Sequence, residues 1–173
     1  IAGEVRGPEI SQDELENITR GIVKEIGYDQ KNFHWKNFDF SCFLHSQSRD
    51  IAVGVDPSGN NAVGAGEQGI MFGYACTETK ELMPAPIQYS HQILKKLANV
   101  RKKREAYGLG PDTKSQDTLI YEDRIPVGCD NVVVSTQHKP DISKAQLANI
   151  IIPVVEASLP NNCCLLYTSP SPR

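Results

Sequence analysis

The chain has 173 residues, with 18 basic against 21 acidic side chains and a formal net charge of −3. That length holds one domain or two small ones, and the charge balance argues against a general nucleic-acid-binding surface. A mean hydropathy of −0.37, with no apolar run long enough to cross a bilayer, reads as a soluble chain with no membrane partner.

In chain order, Ser11-Gln12-Asp13-Glu14 has the pattern of a capping box. Leu15, Ile18, Ile22, Val23 and Ile26 then recur at helical spacing until Gly27 closes the pattern. From Tyr28 to Asn37 the text is polar with scattered aromatics. Phe38 to Leu44 alternates and predicts a strand. Ser46 to Asn61 reads as a loop, long enough to be functional or mobile.

Gly64-Ala65-Gly66-Glu67-Gln68-Gly69 fits the G-x-G-x-x-G spacing of a dinucleotide loop. Such a loop must follow a strand and open a helix. Here a turn-rich stretch, Asp56 to Asn61, precedes it. The apolar segment Ile70 to Ala75 follows, and it reads as a short buried strand. A Rossmann dehydrogenase is therefore disfavoured.

Pro84-Ala85-Pro86 opens a second helix, Ile87 to about Arg104, with Ile93, Leu94, Leu97 and Val100 on its buried side. The basic run Arg101 to Arg104 reads as a solvated last turn favoured by the helix dipole. Thr118 to Tyr121, Ile125 to Cys129 and Val132 to Thr136 are predicted strands. Glu122-Asp123 turns the first into the second, and Asp130-Asn131 separates the second from the third. Ser143 with Gln146 opens a helix carrying Leu147, Ile150, Ile151, Val154 and Val155, which Pro153 should kink or end. Helices with mostly antiparallel strands and no βαβ series make the fold class α+β.

The five cysteines form no C-x-x-C pair and are odd in number, which fits reduced intracellular thiols better than a disulfide framework. Cys42 and His45 have metal-ligand spacing, but no second pair accompanies them.

Several blocks stand out together: Gly64 to Ala75, Glu78-Thr79, Leu82 to Pro86, Pro111-Asp112-Thr113-Lys114-Ser115-Gln116 and Val134-Ser135-Thr136-Gln137-His138. Upstream lie Gly3-Glu4, Ile18-Thr19-Arg20, Glu25 to Tyr28 and Gln47-Ser48-Arg49-Asp50-Ile51. In identity and order these blocks resemble the S-adenosylmethionine synthetase (methionine adenosyltransferase) family. The resemblance covers about residues 1 to 160.

The resemblance implies a reaction in which methionine sulfur displaces triphosphate from the 5′ carbon of ATP, and the triphosphate is then hydrolysed to phosphate and diphosphate. It implies three similar α+β domains about a pseudo-threefold axis, with mixed and antiparallel sheets covered by helices. Residues 1–62 would end the first domain, 63–160 would form most of the central one, and the full-length protein would be a cytoplasmic homodimer or dimer of dimers. Substrates are ATP and L-methionine, and Mg²⁺ and K⁺ are the implied ions. Lys114 matches the catalytic lysine on the phosphate chain, with Asp112, Thr113 and Ser115 beside it at the ATP site. Glu4, Gln47 and Glu67 match methionine-binding residues, although Glu67 stands where the family has aspartate. Gln47, Ser48, Arg49, Asp50, Ile51, Ala52, Val53, Gly54, Val55 and Asp56 match a gating loop. Asp117 departs from the family's apolar residue and is expected at a strand edge.

The family's His-Pro-Asp-Lys motif and its Gly-Gly-Gly-Ala-Phe-Ser-Gly-Lys-Asp loop do not occur here. The sequence is therefore expected to be truncated at both ends, with the metal ligands outside it, no metal site in this part, and no activity alone. Cys164 to Arg173 has no family counterpart and resembles a translated sequencing adapter, so 161–173 is expected not to be native. The alternative function is a non-catalytic module of the same fold that binds a nucleotide or a partner.

Overall fold

A computed structural model describes residues 1–49, 52, 69–103, 105 and 107–160, together with the backbone of 168–172. It divides into two compact units, Ile1–Gly73 and Tyr74–Arg173. The domain boundary expected at 62/63 lies outside the described residues.

In the first unit, β1 (Ala2–Val5) is followed by α1 (Gln12–Ile26). The Ser11 hydroxyl accepts the Glu14 N–H at 3.2 Å. Gly27 ends the helix at φ 103°, its N–H donating to Val23 O, a left-handed cap that glycine adopts without a Cβ penalty. Short strands β2 (Asp29–Gln30) and β3 (Phe33–His34) pair antiparallel, and β4 (Phe43–Ser46) pairs parallel with β1.

The strand expected over Phe38–Leu44 is thus shifted toward the C-terminus. Arg20 explains the shift: its guanidinium donates to Trp35 O and Phe38 O, both at 3.0 Å, and stacks 4.5 Å from the Phe38 ring centre. That carbonyl is then committed to a side chain rather than to a ladder. No residue of α1 is buried, and Ile18 and Ile22 are 50% and 53% exposed.

The second unit carries the core. Ile70 to Ala75, at the junction of the two units, is irregular rather than the expected buried strand. Ile70, Met71, Phe72 and Tyr74 are all exposed, Phe72 to 95%. The helix α2 runs Ala85–Lys102, two residues ahead of the expected span at each end. Pro86 belongs in its first turn, where a missing N–H is tolerated.

An antiparallel hairpin follows, β5 (Leu109–Glu122) and β6 (Ile125–His138). Asp123 and Arg124 form its turn at φ 48° and 65°, the two-residue geometry that matches strand twist. The two strands expected on either side of Asp130 are one strand with a register shift, since Thr118 pairs with Asn131 and Leu119 with Cys129. Polar residues that read as a turn mark a bulge instead. The helix α3 (Lys144–Glu156) opens on a complete Ser143–Gln146 capping box and continues past Pro153. Only its last turn lies beyond the proline, and Ala157 N donates to Pro153 O at 3.0 Å.

No element was expected within 161–173, yet the backbone of Thr168–Pro172 forms β7, parallel to β6. Sheet order is β5-β6-β7. Ile93 and Leu97 from α2, Leu147, Ile151 and Val155 from α3, and Cys129, Val132 and Val134 from β6 form one buried cluster. The fold class is α+β.

Candidate functional site

The block that carries Lys114 lies inside β5, not in a loop. Strand alternation therefore sorts its side chains. Asp112, Lys114 and Gln116 are exposed, while Thr113, Ser115 and Asp117 are half-buried. Across the hairpin, Lys114 pairs with Ser135 and Gln116 with Val133, whereas Thr113, Ser115 and Asp117 pair with the buried Thr136, Val134 and Val132. The expected ATP residues thus divide between two faces. Asp112 and Lys114 share the open face, and Thr113 and Ser115 share the face that carries the core.

On the core face, the Thr113 and Thr136 hydroxyls are hydrogen-bonded at 2.9 Å. Ser90 Oγ of α2 donates to Asp117 Oδ1 at 3.1 Å. Ser115 Oγ and Asp117 Oδ2 are buried with no hydrogen-bond partner among the described residues. Loss of water around the Asp117 carboxyl pushes its pKa above the ordinary carboxylate value, partly offset by the Ser90 bond. Asp117 therefore sits mid-strand against a helix. A groove of about 660 Å³ runs along the α2–β5 seam past Ile87, Ser90, His91 and Asp117, and three of the expected ATP residues, Thr113, Lys114 and Ser115, border it.

In the first unit, β1 and β4 bring two expected methionine-binding residues, Glu4 and Gln47, near each other. Glu4 pairs with His45 in the parallel register. Gln47 follows β4 by one residue, and its N–H donates to Val5 O at 3.2 Å. Glu4 is exposed, and Gln47 Oε1 is buried without a partner among the described residues. Glu67 lies outside the described residues, as do Asp50, Ile51, Val53, Gly54, Val55 and Asp56 of the expected gating loop. Of that loop, Ala52 N donates to Ser48 O at 3.0 Å, one helical hydrogen bond in a stretch read as irregular.

One structural carboxylate went unrecognised in the sequence. Glu78 Oε2 accepts the Ala85 N–H at 3.0 Å and the Tyr121 hydroxyl at 2.6 Å. These bonds, that from Ala85 foremost, hold the Glu78 pKa below its ordinary value. The N-cap of α2 is Pro84, which offers no capping side chain, so Glu78 takes that role from seven residues upstream. Sequence spacing carries no signal for such a cap. Among the described residues, no three His, Cys, Asp or Glu side chains gather into a group that could hold a metal ion.

The profile of the S-adenosylmethionine synthetase central domain matches residues 62–169. The chain is 54% identical over 162 residues to the S-adenosylmethionine synthase of Parvibaculum lavamentivorans, covering 93% of this chain and 42% of that protein. It is 55% identical over 164 residues to the S-adenosylmethionine synthase of Granulibacter bethesdensis, with the same coverage. Among solved structures, an unusual S-adenosylmethionine synthetase from Campylobacter jejuni superposes with a TM-score of 0.75 at 26% identity, covering 99% of this chain and 45% of that one. The chain thus spans about two fifths of the length of the curated relatives it matches. By profile, sequence and fold together, this chain belongs to the S-adenosylmethionine synthetase family.

Proposed function

We propose that this chain is the central stretch of a methionine adenosyltransferase that forms S-adenosylmethionine from ATP and L-methionine. In this reaction the methionine sulfur attacks the 5′ carbon and triphosphate leaves with the bonding electrons. Triphosphate is then hydrolysed to phosphate and diphosphate. The leaving group carries about four negative charges, so the barrier depends on fixed positive charge beside it.

The observation that carries the reading is Lys114, exposed on the open face of β5 in a chain of this family. Its ammonium takes phosphate oxygens as a compact point charge. Asp112 shares that face, and its carboxylate suits the hydroxyl or amino donors of the nucleotide rather than its phosphates. Thr113 and Ser115, which border the α2–β5 groove together with Lys114, complete the ATP site. Glu4 takes the substrate ammonium and Gln47 Oε1 accepts from it, with Glu67 as a third contact. Residues 47–56 act as the gate that excludes water.

The ligands of Mg²⁺ and K⁺ are assigned in this proposal to other parts of the protein, and the charge compensation assigned to this part is that of Lys114. Three domains, a homodimer or dimer of dimers, and a cytoplasmic location complete the proposal, with 161–173 not native to the protein.

The test expresses the complete reading frame containing this chain and measures the sulfonium product by mass spectrometry. Lys114→Ala is expected to lower kcat/KM at least about 100-fold, and the 173-residue chain alone to give no product. A Lys114→Ala enzyme as active as the parent would refute the assignment.

A further inference from the structure

The run Thr113–Thr118 of β5 is the regular part of a strand that is otherwise irregular. The pairing register shifts between Leu109 and Thr113, and again between Thr118 and Leu119. Strands bend and twist at such shifts, so this run needs its own restraints if it is to hold a direction. Two side-chain bonds supply them, one near each end. At the start, the Thr113 hydroxyl is bonded to Thr136 of β6 at 2.9 Å. Near the end, Asp117 Oδ1 accepts from Ser90 of α2 at 3.1 Å. Lys114 lies between these ties and on the opposite face.

We infer that Ser90 and Asp117 form a positioning pair that fixes the direction of Lys114 by tying the end of its strand segment to α2. The inference rests on the reading of Lys114 as the phosphate-chain contact. Three features support it. The pair is a polar link between α2 and the middle of β5, on a helix wall that also presents Ile87, His91 and Leu94 to the groove. The second oxygen, Asp117 Oδ2, is buried without a partner among the described residues, so Ser90 is the side chain that compensates the carboxyl, beside the residue's own backbone N–H. Desolvation also raises the cost of the charged form, which makes this an expensive way to fill a space that an apolar side chain would fill more cheaply. A shift near 1 Å in a charge-stabilising group is enough to lower catalysis markedly. Neither His91 nor Lys114, the titratable groups bordering the same groove, contributes to the Asp117 shift.

The test uses the complete reading frame with Ser90→Ala, Asp117→Ala and Asp117→Asn, and Lys114→Ala as reference. The probe is inorganic tripolyphosphate as an inhibitor competing with ATP. Ser90→Ala and Asp117→Ala are expected to weaken its inhibition constant about five- to tenfold, with the KM for methionine unchanged. Asp117→Asn keeps an acceptor for Ser90 and is expected to stay within about twofold of the parent. Thermal midpoints separate positioning from folding, because Asp117→Ala removes a costly carboxyl and should melt no lower than Ser90→Ala. If Lys114→Ala weakens tripolyphosphate more than about tenfold while Ser90→Ala and Asp117→Ala leave it unchanged, the positioning role is overturned and the lysine assignment stands. If Lys114→Ala changes nothing, the assignment itself falls, and the inference with it.

Discussion

The Tyr121 hydroxyl donates to Glu78 Oε2 at 2.6 Å, joining residues 43 apart in sequence, and the same oxygen takes the Ala85 N–H that opens α2. One carboxylate thus anchors the start of a helix to the end of a strand. Its pKa is lowered in the folded state, first by the Ala85 bond and then by Tyr121. A lowered carboxylate pKa contributes stability that is present above the unfolded value and is lost as pH falls through the folded one. Glu78→Gln should therefore lose less stability than the parent between pH 6 and pH 3, read as the urea midpoint at each pH. Equal acid losses in the two proteins would count against the anchor.

Asp117 has the opposite sign. Desolvation raises its folded pKa, so its contribution is fully present below the unfolded value and is lost as pH rises through the folded one. Asp117→Asn should be more stable than the parent at pH 7 and should lose that advantage near pH 3. A constant offset across the range would show that ionisation of this carboxyl is not involved.

Ile93 is fully buried at 0% exposure in the cluster that joins α2 to β6 and α3. Ile93→Ala should cost about 3 kcal/mol through lost transfer energy and an unfilled cavity. Chemical denaturation monitored by far-UV circular dichroism measures it, and a loss below about 1 kcal/mol would mean that the cluster does not hold the second unit together.

Gly108 sits at φ 81°, and a Cβ there would collide with the Ile142 side chain. Its carbonyl also accepts the Lys139 N–H at 2.9 Å, holding the chain after β6 against the start of β5. Gly108→Ala combines a strained left-handed backbone with overpacking and should destabilise by about 2 kcal/mol. Gly21→Ala, with nothing within 4 Å of its Cβ, is the matched control and should be neutral or slightly stabilising through helix propensity.

The elements that were legible in the sequence are those whose signals are local. The Ser11 and Ser143 caps and the Gly27 terminator lie beside what they cap, so α1 and α3 read directly. What escaped was set by distant partners. Phe38 looks like strand until Arg20 claims its carbonyl. Asp130 looks like a turn until the register with Thr118 and Leu119 makes it a bulge. Ile70 to Ala75 looks like strand because it is apolar, but pairing needs a partner edge, which periodicity does not reveal. Pro111 to Gln116 was legible as a block but not as part of a strand, since its alternation is polar on both faces. The division of Asp112 and Lys114 from Thr113 and Ser115 became visible only once that strand was known. The cap from Glu78 and the tie from Ser90 to Asp117 span loops and have no fixed spacing to recognise.

The exposure of the segment ahead of α2 has a chemical corollary. Both sulfurs of the chain's two methionines face the same solvent oxidants but are shielded differently. Met71 is 88% exposed, whereas Met83 is half-buried with its backbone N–H and carbonyl both engaged by Thr79. Dilute peroxide will therefore convert Met71 to its sulfoxide well before Met83, and the two oxidised peptides, quantified by mass spectrometry, measure that difference.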